Sequence, residues 1–134
     1  MSKPRRQSIE LPGLKHGRTP IPMAARVGNM IFTSGIPGRD ARTGQLGDGP
    51  AEQVRLAFEN LAVLLQQAGA GLDDVGSVTV LVADEAFRDS VNAHWVACFP
   101  DPASRPARHT SVQALRGGML IQLQAIASIS QEDA

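Results

Sequence analysis

The chain has 134 residues and a mass of 14.2 kDa, which predicts a single domain. Thirteen basic residues balance thirteen acidic ones, so the charge argues against a general attraction to nucleic acid or to an anionic membrane. One cysteine, Cys98, excludes an internal disulfide and is typical of a reducing compartment. The sequence has neither an apolar stretch of about 20 residues nor the pattern of a secretory leader, so we expect a cytoplasmic protein without a membrane span.

The first part of the chain predicts an arm, a hairpin and a long loop. Residues 1–20 are polar and rich in proline and glycine, so we expect a mostly extended arm with one short edge strand around Ser8–Leu11. Two apolar runs follow, Met23–Val27 and Met30–Ser34, and the Gly-Asn pair between them is typical of a tight hairpin turn. The glycine-rich segment 35–50 predicts a loop, and it lacks the spacing of a phosphate-binding loop.

The remainder of the chain predicts two helices and three strands. In order they are a helix over Ala51–Ala68, a strand over Val75–Val82, a helix over Glu85–Cys98, and strands over Arg108–Leu115 and Met119–Ile129. The first helix follows Pro50 and stops before Gly69, and its apolar residues recur at spacings of four and three. Asp84 can cap the second helix. The Arg-Gly-Gly joint between the last two strands indicates a hairpin.

The element order ββ-α-β-α-ββ predicts an α+β fold over residues 1–134, with one mixed sheet and both helices on one of its faces. The last strand alternates two sets of side chains, which are Ile121, Leu123 and Ala125 on one side and Gln122, Gln124 and Ile126 on the other. From this alternation we expect the second face of the sheet, which the helices leave uncovered, to carry the apolar set Ile121, Leu123 and Ala125. An uncovered apolar face predicts assembly of several copies, with a site at their interface.

Arg108 is the first candidate for chemistry, because it follows Pro106-Ala107 at the start of a predicted strand. It is either a solvated surface residue or a guanidinium held rigidly enough to bind a carboxylate or phosphate through two N–H groups. Arg105 is either a second anion contact or simply exposed. Gln122 and Gln124 share a face, where they either satisfy polar groups at a subunit boundary or hold a water or substrate. An amide cannot act as a general base.

Other kinds of site find less support in the sequence. The three histidines and Cys98 lack metal-ligand spacing, so we expect no metal and no cofactor. Cys98 could touch His94 one turn earlier, but it fits the apolar stripe of its helix and is interpreted as a core thiol. Ser34 lies at a strand end without an activating neighbour in the sequence, and it can still donate a hydrogen bond. His109 should face away from Arg108.

A series of short segments between Gly28 and Ala127 has a familiar order. The segments are Gly28–Gly35, Thr43-Gly44, Gln53, Asn60-Leu61, Ala68-Gly69, Asp73–Val75, Val91-Asn92, Phe99-Pro100, Pro106–Arg108 and Gln124–Ala127. Together they resemble the RidA/YjgF family, also called liver perchloric acid-soluble proteins. The resemblance implies a chorismate-mutase-like α+β fold and a homotrimer with clefts between its subunits. For the deaminase branch it implies hydrolysis of enamine or imine acids of the 2-aminoacrylate class to 2-keto acids and ammonia.

The resemblance also implies roles for individual residues. Arg108, in the Pro-Ala-Arg motif, would clamp the carboxylate of the substrate. Ser34 and Gly35 at the end of a strand, and Asn92 on the second helix, would line the pocket.

Three positions of this chain depart from the family's deaminases. Gln122 stands where they usually carry a glutamate that positions the attacking water, so the water would be held by Gln122 and by the backbone near Thr110. Thr110 itself stands in place of a frequent cysteine, and Ile21 in place of a usual tyrosine. The arginine clamp is therefore retained while the water-activating carboxylate is not.

Three functions stay open at this point. The first is hydrolysis of an imine acid, and the second is non-catalytic binding of a small carboxylate metabolite in the same cleft. The third is a role directed at RNA, since some family members are labelled endoribonucleases or translation inhibitors. The balanced charge and the low aromatic content of 4% argue against the third, so we expect no nucleic-acid partner.

Overall fold

The computed structural model describes residues 4–130, so the outer ends of the arm predicted over residues 1–20 and of the domain predicted over 1–134 lie outside it. The strands and helices, in chain order, are β1 (Arg6–Ile9), β2 (Ala24–Val27), β3 (Met30–Thr33), β4 (Ile36–Pro37), α1 (Pro50–Gln67), β5 (Val75–Val82), α2 (Arg88–Cys98), β6 (Ala107–Val112) and β7 (Ile121–Ser128). Within the described part of the chain, no helix has the length and apolarity that crossing a membrane requires.

All the strands form one sheet, in the order β1-β2-β3-β7-β5-β6, with the short β4 paired to β7. β5 and β6 run parallel, and the other pairings are antiparallel. α1 packs against both α2 and β7, and residues of both helices belong to one buried apolar cluster with the strands. The predicted α+β fold, a mixed sheet with two helices on one face, is therefore confirmed.

The hairpin of β2 and β3 turns at Gly28, whose φ of 61° suits glycine. β1 confirms the edge strand of the arm, although it covers Arg6–Ile9 and so begins two residues earlier than predicted. Leu11 and Leu14 are buried in the core, because the arm folds back onto the domain after β1. The arm is thus more closely packed than an extended segment would be.

α1 begins at Pro50 and ends at Gln67, within one residue of the prediction. Proline is suited to the first helical position because the N–H that it lacks would have no partner there. Gly69 follows the helix with a φ of 86°, as expected of a C-terminal glycine. Leu61, Leu64 and Leu65 are fully buried against the sheet, and burial of each side chain contributes about 1.5–3 kcal/mol to stability.

Two buried polar side chains of α1 hold the neighbouring loops in place. The amide of Asn60 donates to the carbonyl oxygens of Pro37 and Arg39 at 2.9 and 2.8 Å. The amide oxygen of Gln53 accepts the N–H of Leu120 at 2.8 Å. Both side chains are at least 95% buried, so the loops depend on these bonds to satisfy polar backbone groups.

The last two strands are not neighbours, so the hairpin predicted over Arg108–Leu115 and Met119–Ile129 is wrong. β5 lies between β6 and β7 and pairs with both. Gly117 and Gly118 do turn the chain, with φ values of 64° and 83°. After the turn the chain crosses β5, so that β7 pairs with the side of β5 opposite to β6. β7 buries every second side chain and so takes a central position, whereas β6 carries Arg, His, Thr and Ser and suits the edge of the sheet.

The apolar residues of the uncovered face also differ from those expected. Ile121, Leu123 and Ala125, which we expected on the uncovered face, are instead buried under the helices together with Ala127. The opposite set, which includes Gln122 and Ile126, lies on the uncovered face. Phe32 pairs directly with Ile126 across β3 and β7, and the two side chains are 42% and 41% exposed. An exposed apolar patch is therefore present on this face, and Phe32 and Ile126 form it.

Candidate active site

The residues predicted to form one site fall into two clusters, and Trp95 joins the first of them. The first, here called the arginine cluster, comprises Asn92, Trp95, Arg108 and Thr110. The second, here called the glutamine cluster, comprises Ile21, Ser34, Gly35 and Gln122.

The two clusters lie on opposite faces of the sheet. Arg108 pairs with Val78, which is buried under the helices, so its side chain lies on the helix face. Gln122 alternates with buried Ile121 and Leu123 and therefore lies on the uncovered face. Arg108 and Thr110 thus do not meet Gln122 within one chain, and the catalytic group that the three would form in a cleft between subunits stays a prediction. The reason is that β7 presents Gln122 on the face opposite to the one on which β6 presents Arg108 and Thr110.

Arg108 is held between β6 and α2. One terminal N–H of its guanidinium donates to the amide oxygen of Asn92 at 2.7 Å, and its guanidinium carbon lies 5.1 Å from the ring centroid of Trp95. A cation over an indole ring is attracted electrostatically. Partial burial, and then the charge of Arg88, lower the pKa of Arg108, yet an arginine stays charged throughout the physiological range. The guanidinium has five N–H groups, so further donors are available to an anion.

Trp95 is the member of this cluster that the sequence interpretation missed. Its side chain belongs to the apolar core and is 91% buried. The sequence does indicate that Trp95 lies beside Asn92. The two residues are three positions apart on α2 and so share one face of the helix. The aspartate predicted to cap this helix accepts the N–H of Ala86 at 2.8 Å, although the first turn is a 3-10 helix over Glu85–Phe87 and α2 begins at Arg88.

Thr110 follows Arg108 on the same face of β6. Its hydroxyl oxygen is buried and has no hydrogen-bond partner among residues 4–130. β6 pairs only with β5 in the described sheet, so the outer backbone groups of the strand remain available. Thr110 and its backbone thus offer polar atoms two residues along β6 from Arg108.

The glutamine cluster is built around a strand end and the arm. Ser34 donates its hydroxyl proton to the carbonyl oxygen of Pro22 at 2.7 Å, so its oxygen can only accept further bonds. The amide of Gln122 lies directly over Gly35, because a Cβ atom added to this glycine would be 2.2 Å from Nε2 of Gln122. Ile21 precedes Pro22 and is 46% exposed.

Two cavities border three members of this cluster. Gly35 and Gln122 line a cavity of about 210 Å³, whose wall also includes residues 15–17. Ile21 lines a cavity of about 300 Å³ that the same segment 15–17 borders. The arm therefore lies between Ile21 and Gln122.

Arg105 and His109, whose roles the sequence left open, do not join either cluster. The side chain of Arg105 donates to the carbonyl oxygens of Phe99 and Pro100 at 2.8 and 3.3 Å, and so holds the chain after α2. His109 is exposed and pairs with Thr79 on the face opposite to Arg108, as predicted.

Cys98 behaves as the core thiol that the sequence predicted. It is partly buried, packs against the apolar core, and burial raises the pKa of its thiol, which disfavours the reactive thiolate. The ring of His94 stacks on Phe58 with a centroid separation of 6.1 Å. Among residues 4–130, no three His, Cys, Asp or Glu side chains form a group that could hold a metal ion. The absence of any metal or cofactor stays a prediction.

Comparison with known proteins gives both family and fold. The family model described as "Endoribonuclease L-PSP" matches residues 19–129. A RutC family protein of Pyrococcus abyssi is 36% identical over 110 residues, which cover 81% of this chain and 85% of the relative. The mouse 2-iminobutanoate/2-iminopropanoate deaminase is also 36% identical over 110 residues, which cover 81% of this chain and 80% of the relative.

A solved structure shows the same architecture. RidA from the Antarctic bacterium Psychrobacter superposes with a TM-score of 0.84 at 30% identity, and the match covers 92% of this chain and 99% of RidA. The chorismate-mutase-like α+β fold that the sequence resemblance implied is confirmed. By sequence and by fold, the chain belongs to the endoribonuclease L-PSP family, the RidA/YjgF family whose segments it carries.

Proposed function

We propose that the protein hydrolyses a reactive imine or enamine acid of the 2-aminoacrylate class to a 2-keto acid and ammonia. The observation that carries the proposal is the placement of Arg108, a partly buried cation fixed by Asn92 and Trp95 with N–H donors to spare. A carboxylate fits these donors because its two oxygens can accept two parallel N–H bonds from one guanidinium. The mouse relative named as a deaminase of 2-imino acids supports the same chemistry.

The site requires more than one copy of the chain. Because the arginine and glutamine clusters lie on opposite faces of the sheet, a cleft between subunits would join the arginine cluster of one copy to the glutamine cluster of the next. The exposed pair Phe32 and Ile126 gives the uncovered face an apolar surface that assembly would bury. We propose a homotrimer with three such clefts.

In this cleft Arg108 binds the carboxylate and so fixes the adjacent imine carbon. A water molecule attacks the carbon of the protonated imine, the C=N π electrons move to the nitrogen, and one proton of the water passes to the resulting amine. The C–N bond of this carbinolamine then breaks, the C=O bond of the keto acid forms, and the departing ammonia takes up the hydroxyl proton. Gln122 and the backbone near Thr110 hold the water by hydrogen bonds, while Ser34, Gly35, Asn92 and Ile21 shape the pocket. Positioning alone contributes much of the acceleration when the electrophile is a protonated imine.

A second function is favoured by one observation, the amide at Gln122. An amide cannot take a proton from water near neutral pH, so the cleft could bind a small carboxylate metabolite without turning it over. The same arginine would then serve recognition alone.

Ammonia release separates the two functions. Wild-type protein is supplied with 2-iminopropanoate and other imine acids formed in situ by an amino-acid oxidase, and we expect release faster than in the buffer blank. Rates equal to the blank across the panel would overturn the enzymatic proposal. Ligand-dependent thermal stabilisation without turnover would instead identify a binding protein. A solution mass about three times 14.2 kDa tests the trimer.

A further inference from the structure

The charged side chains that line the cavity beside Gln122 are all basic. Its wall contains Lys15, His16 and Arg39, and no acidic side chain is part of it. Lys15 is exposed, and neither Lys15 nor Arg39 takes part in an ion pair among residues 4–130. An acid does occur nearby, since Glu10 lines the neighbouring cavity, which Lys15 and His16 also border. The cavity beside Gln122 thus has two cationic side chains in its wall, Lys15 and Arg39, that form no ion pair with the described residues.

The three basic groups also have donors to spare. Arg39 gives one terminal N–H to the carbonyl oxygen of Gly44 at 2.7 Å, and its remaining N–H groups have no other assigned partner in the described chain. The ring nitrogen Nε2 of His16 is buried and has no hydrogen-bond partner among the described residues. A buried polar atom without a partner is costly, so an oxygen-bearing ligand in the cavity would satisfy it.

The backbone fixes this arrangement. Asn60 holds the carbonyl oxygen of Arg39 at 2.8 Å, and the N–H of Thr19 donates to the carbonyl oxygen of His16 at 3.1 Å. Gly35 and Gln122, both assigned to the proposed site, form the opposite wall. A molecule whose reacting carbon lies at Gln122 could therefore extend into the cavity, whose 210 Å³ exceeds the roughly 30 Å³ of a water molecule.

We propose that this cavity is a second anion-binding subsite and that the preferred substrate is an imine acid with a second carboxylate. The inference rests on the proposed function, since it names the substrate class of the same site. Arg108 would bind the carboxylate next to the imine, and Lys15, His16 and Arg39 would receive the distal one. Carboxylates bind well between a guanidinium and an ammonium because each contact is a charge-assisted hydrogen bond.

A pair of matched ligands tests the subsite without requiring turnover. 2-Oxoglutarate and 2-oxopentanoate have the same carbon chain and differ in the distal carboxylate. Dissociation constants measured by titration calorimetry should favour 2-oxoglutarate by about tenfold in the wild-type protein, the size of one charge-assisted contact. The corresponding imines, formed in situ from glutamate and norvaline, should show the same order in kcat/KM.

Variants that remove one cation from the cavity wall test whether the preference for 2-oxoglutarate arises there. Lys15→Gln and Arg39→Gln should each reduce the preference for 2-oxoglutarate to about threefold or less, because each removes one cation from the wall. Arg18→Gln is the matched control, since Arg18 is an exposed residue of the same arm that lines neither cavity. It should leave the preference as in the wild type.

The outcomes separate this proposal from the one on which it rests. Equal affinity for the two oxo acids, or an equal loss in Lys15→Gln and Arg18→Gln, would overturn the subsite even if 2-iminopropanoate is hydrolysed. A Lys15-dependent preference without hydrolysis of any imine would keep the subsite and refute the enzymatic function. Failure to bind either oxo acid would also overturn the subsite.

Discussion

The arginine cluster and the glutamine cluster are held in place in different ways. The arginine cluster stands on α2 and β6, and its charged group is fixed by a hydrogen bond of 2.7 Å and by an aromatic ring. In the glutamine cluster only Gln122, on β7, belongs to a regular element, while Ile21, Ser34 and Gly35 lie in connecting segments, where the Ser34 hydroxyl donates to the carbonyl oxygen of Pro22. The guanidinium of Arg108 is thus held between two regular elements, whereas most of the glutamine cluster depends on the conformation of loops.

Removal of the guanidinium should have the largest effect. We expect Arg108→Ala to lower kcat/KM for 2-iminopropanoate by about 100-fold or more, because the substrate loses a bidentate charged contact. Arg116→Ala, which removes an exposed arginine of the β6–β7 connection, serves as the control and should keep the wild-type rate. Comparable losses in both variants would mean that Arg108 acts only through net charge.

Mixed assemblies test whether the two clusters meet across an interface. Arg108→Ala and Gln122→Leu should each be nearly inactive alone, and refolding them together should restore about a quarter of wild-type activity, the fraction of clefts that receive both intact residues. Each variant refolded with itself is the control. A mixture no more active than its parents would show that the clusters do not share a site.

Much of the fold, and the strand face on which some site residues lie, could be predicted from the sequence. Strong local patterns of apolar residues are sufficient to determine individual helices and strands. Val75–Val82 and α1 follow from valine content and from apolar spacing. The alternation on β7 separated Gln122 from Ile121 and Leu123, although it did not show which of the two sets the helices cover. The alternation of β6 likewise placed His109 opposite Arg108.

The order of the strands in the sheet could not be predicted from such local patterns. A glycine-rich turn such as Gly117-Gly118 specifies a reversal of the chain, but it does not specify the partner on which the next strand pairs. The partner of a strand depends on how much of that strand must be buried. The polar residues of β6 indicate an edge strand, which pairs on one side only. The wrong pairing also hid the separation of Arg108 from Gln122, since the faces of two strands can be compared only when their pairing is known.

Substitution of the amide should have a smaller effect, and in the opposite direction. We expect Gln122→Glu to raise the rate about tenfold, because a carboxylate can accept the proton of the attacking water as well as position it, and general bases contribute about 100-fold or more when well placed. Gln124→Glu is the control, as it adds the same charge two residues away on the same strand. An unchanged or lower rate in Gln122→Glu would show that the amide is not what limits turnover.

Displacement of Gln122 without changing its chemistry should have the smallest effect. A Cβ at position 35 would meet the amide nitrogen of Gln122 at 2.2 Å, and since this is the end of a flexible side chain, Gly35→Ala should move the amide while the fold persists. We expect a loss of about threefold in kcat/KM with thermal stability nearly unchanged, because positioning effects depend steeply on distance. Gly71→Ala, whose Cβ meets no atom within 4 Å, is the matched control. If both variants kept the wild-type rate, the place of Gln122 over Gly35 would be a feature of packing, and the glutamine cluster would lose its role in holding the water.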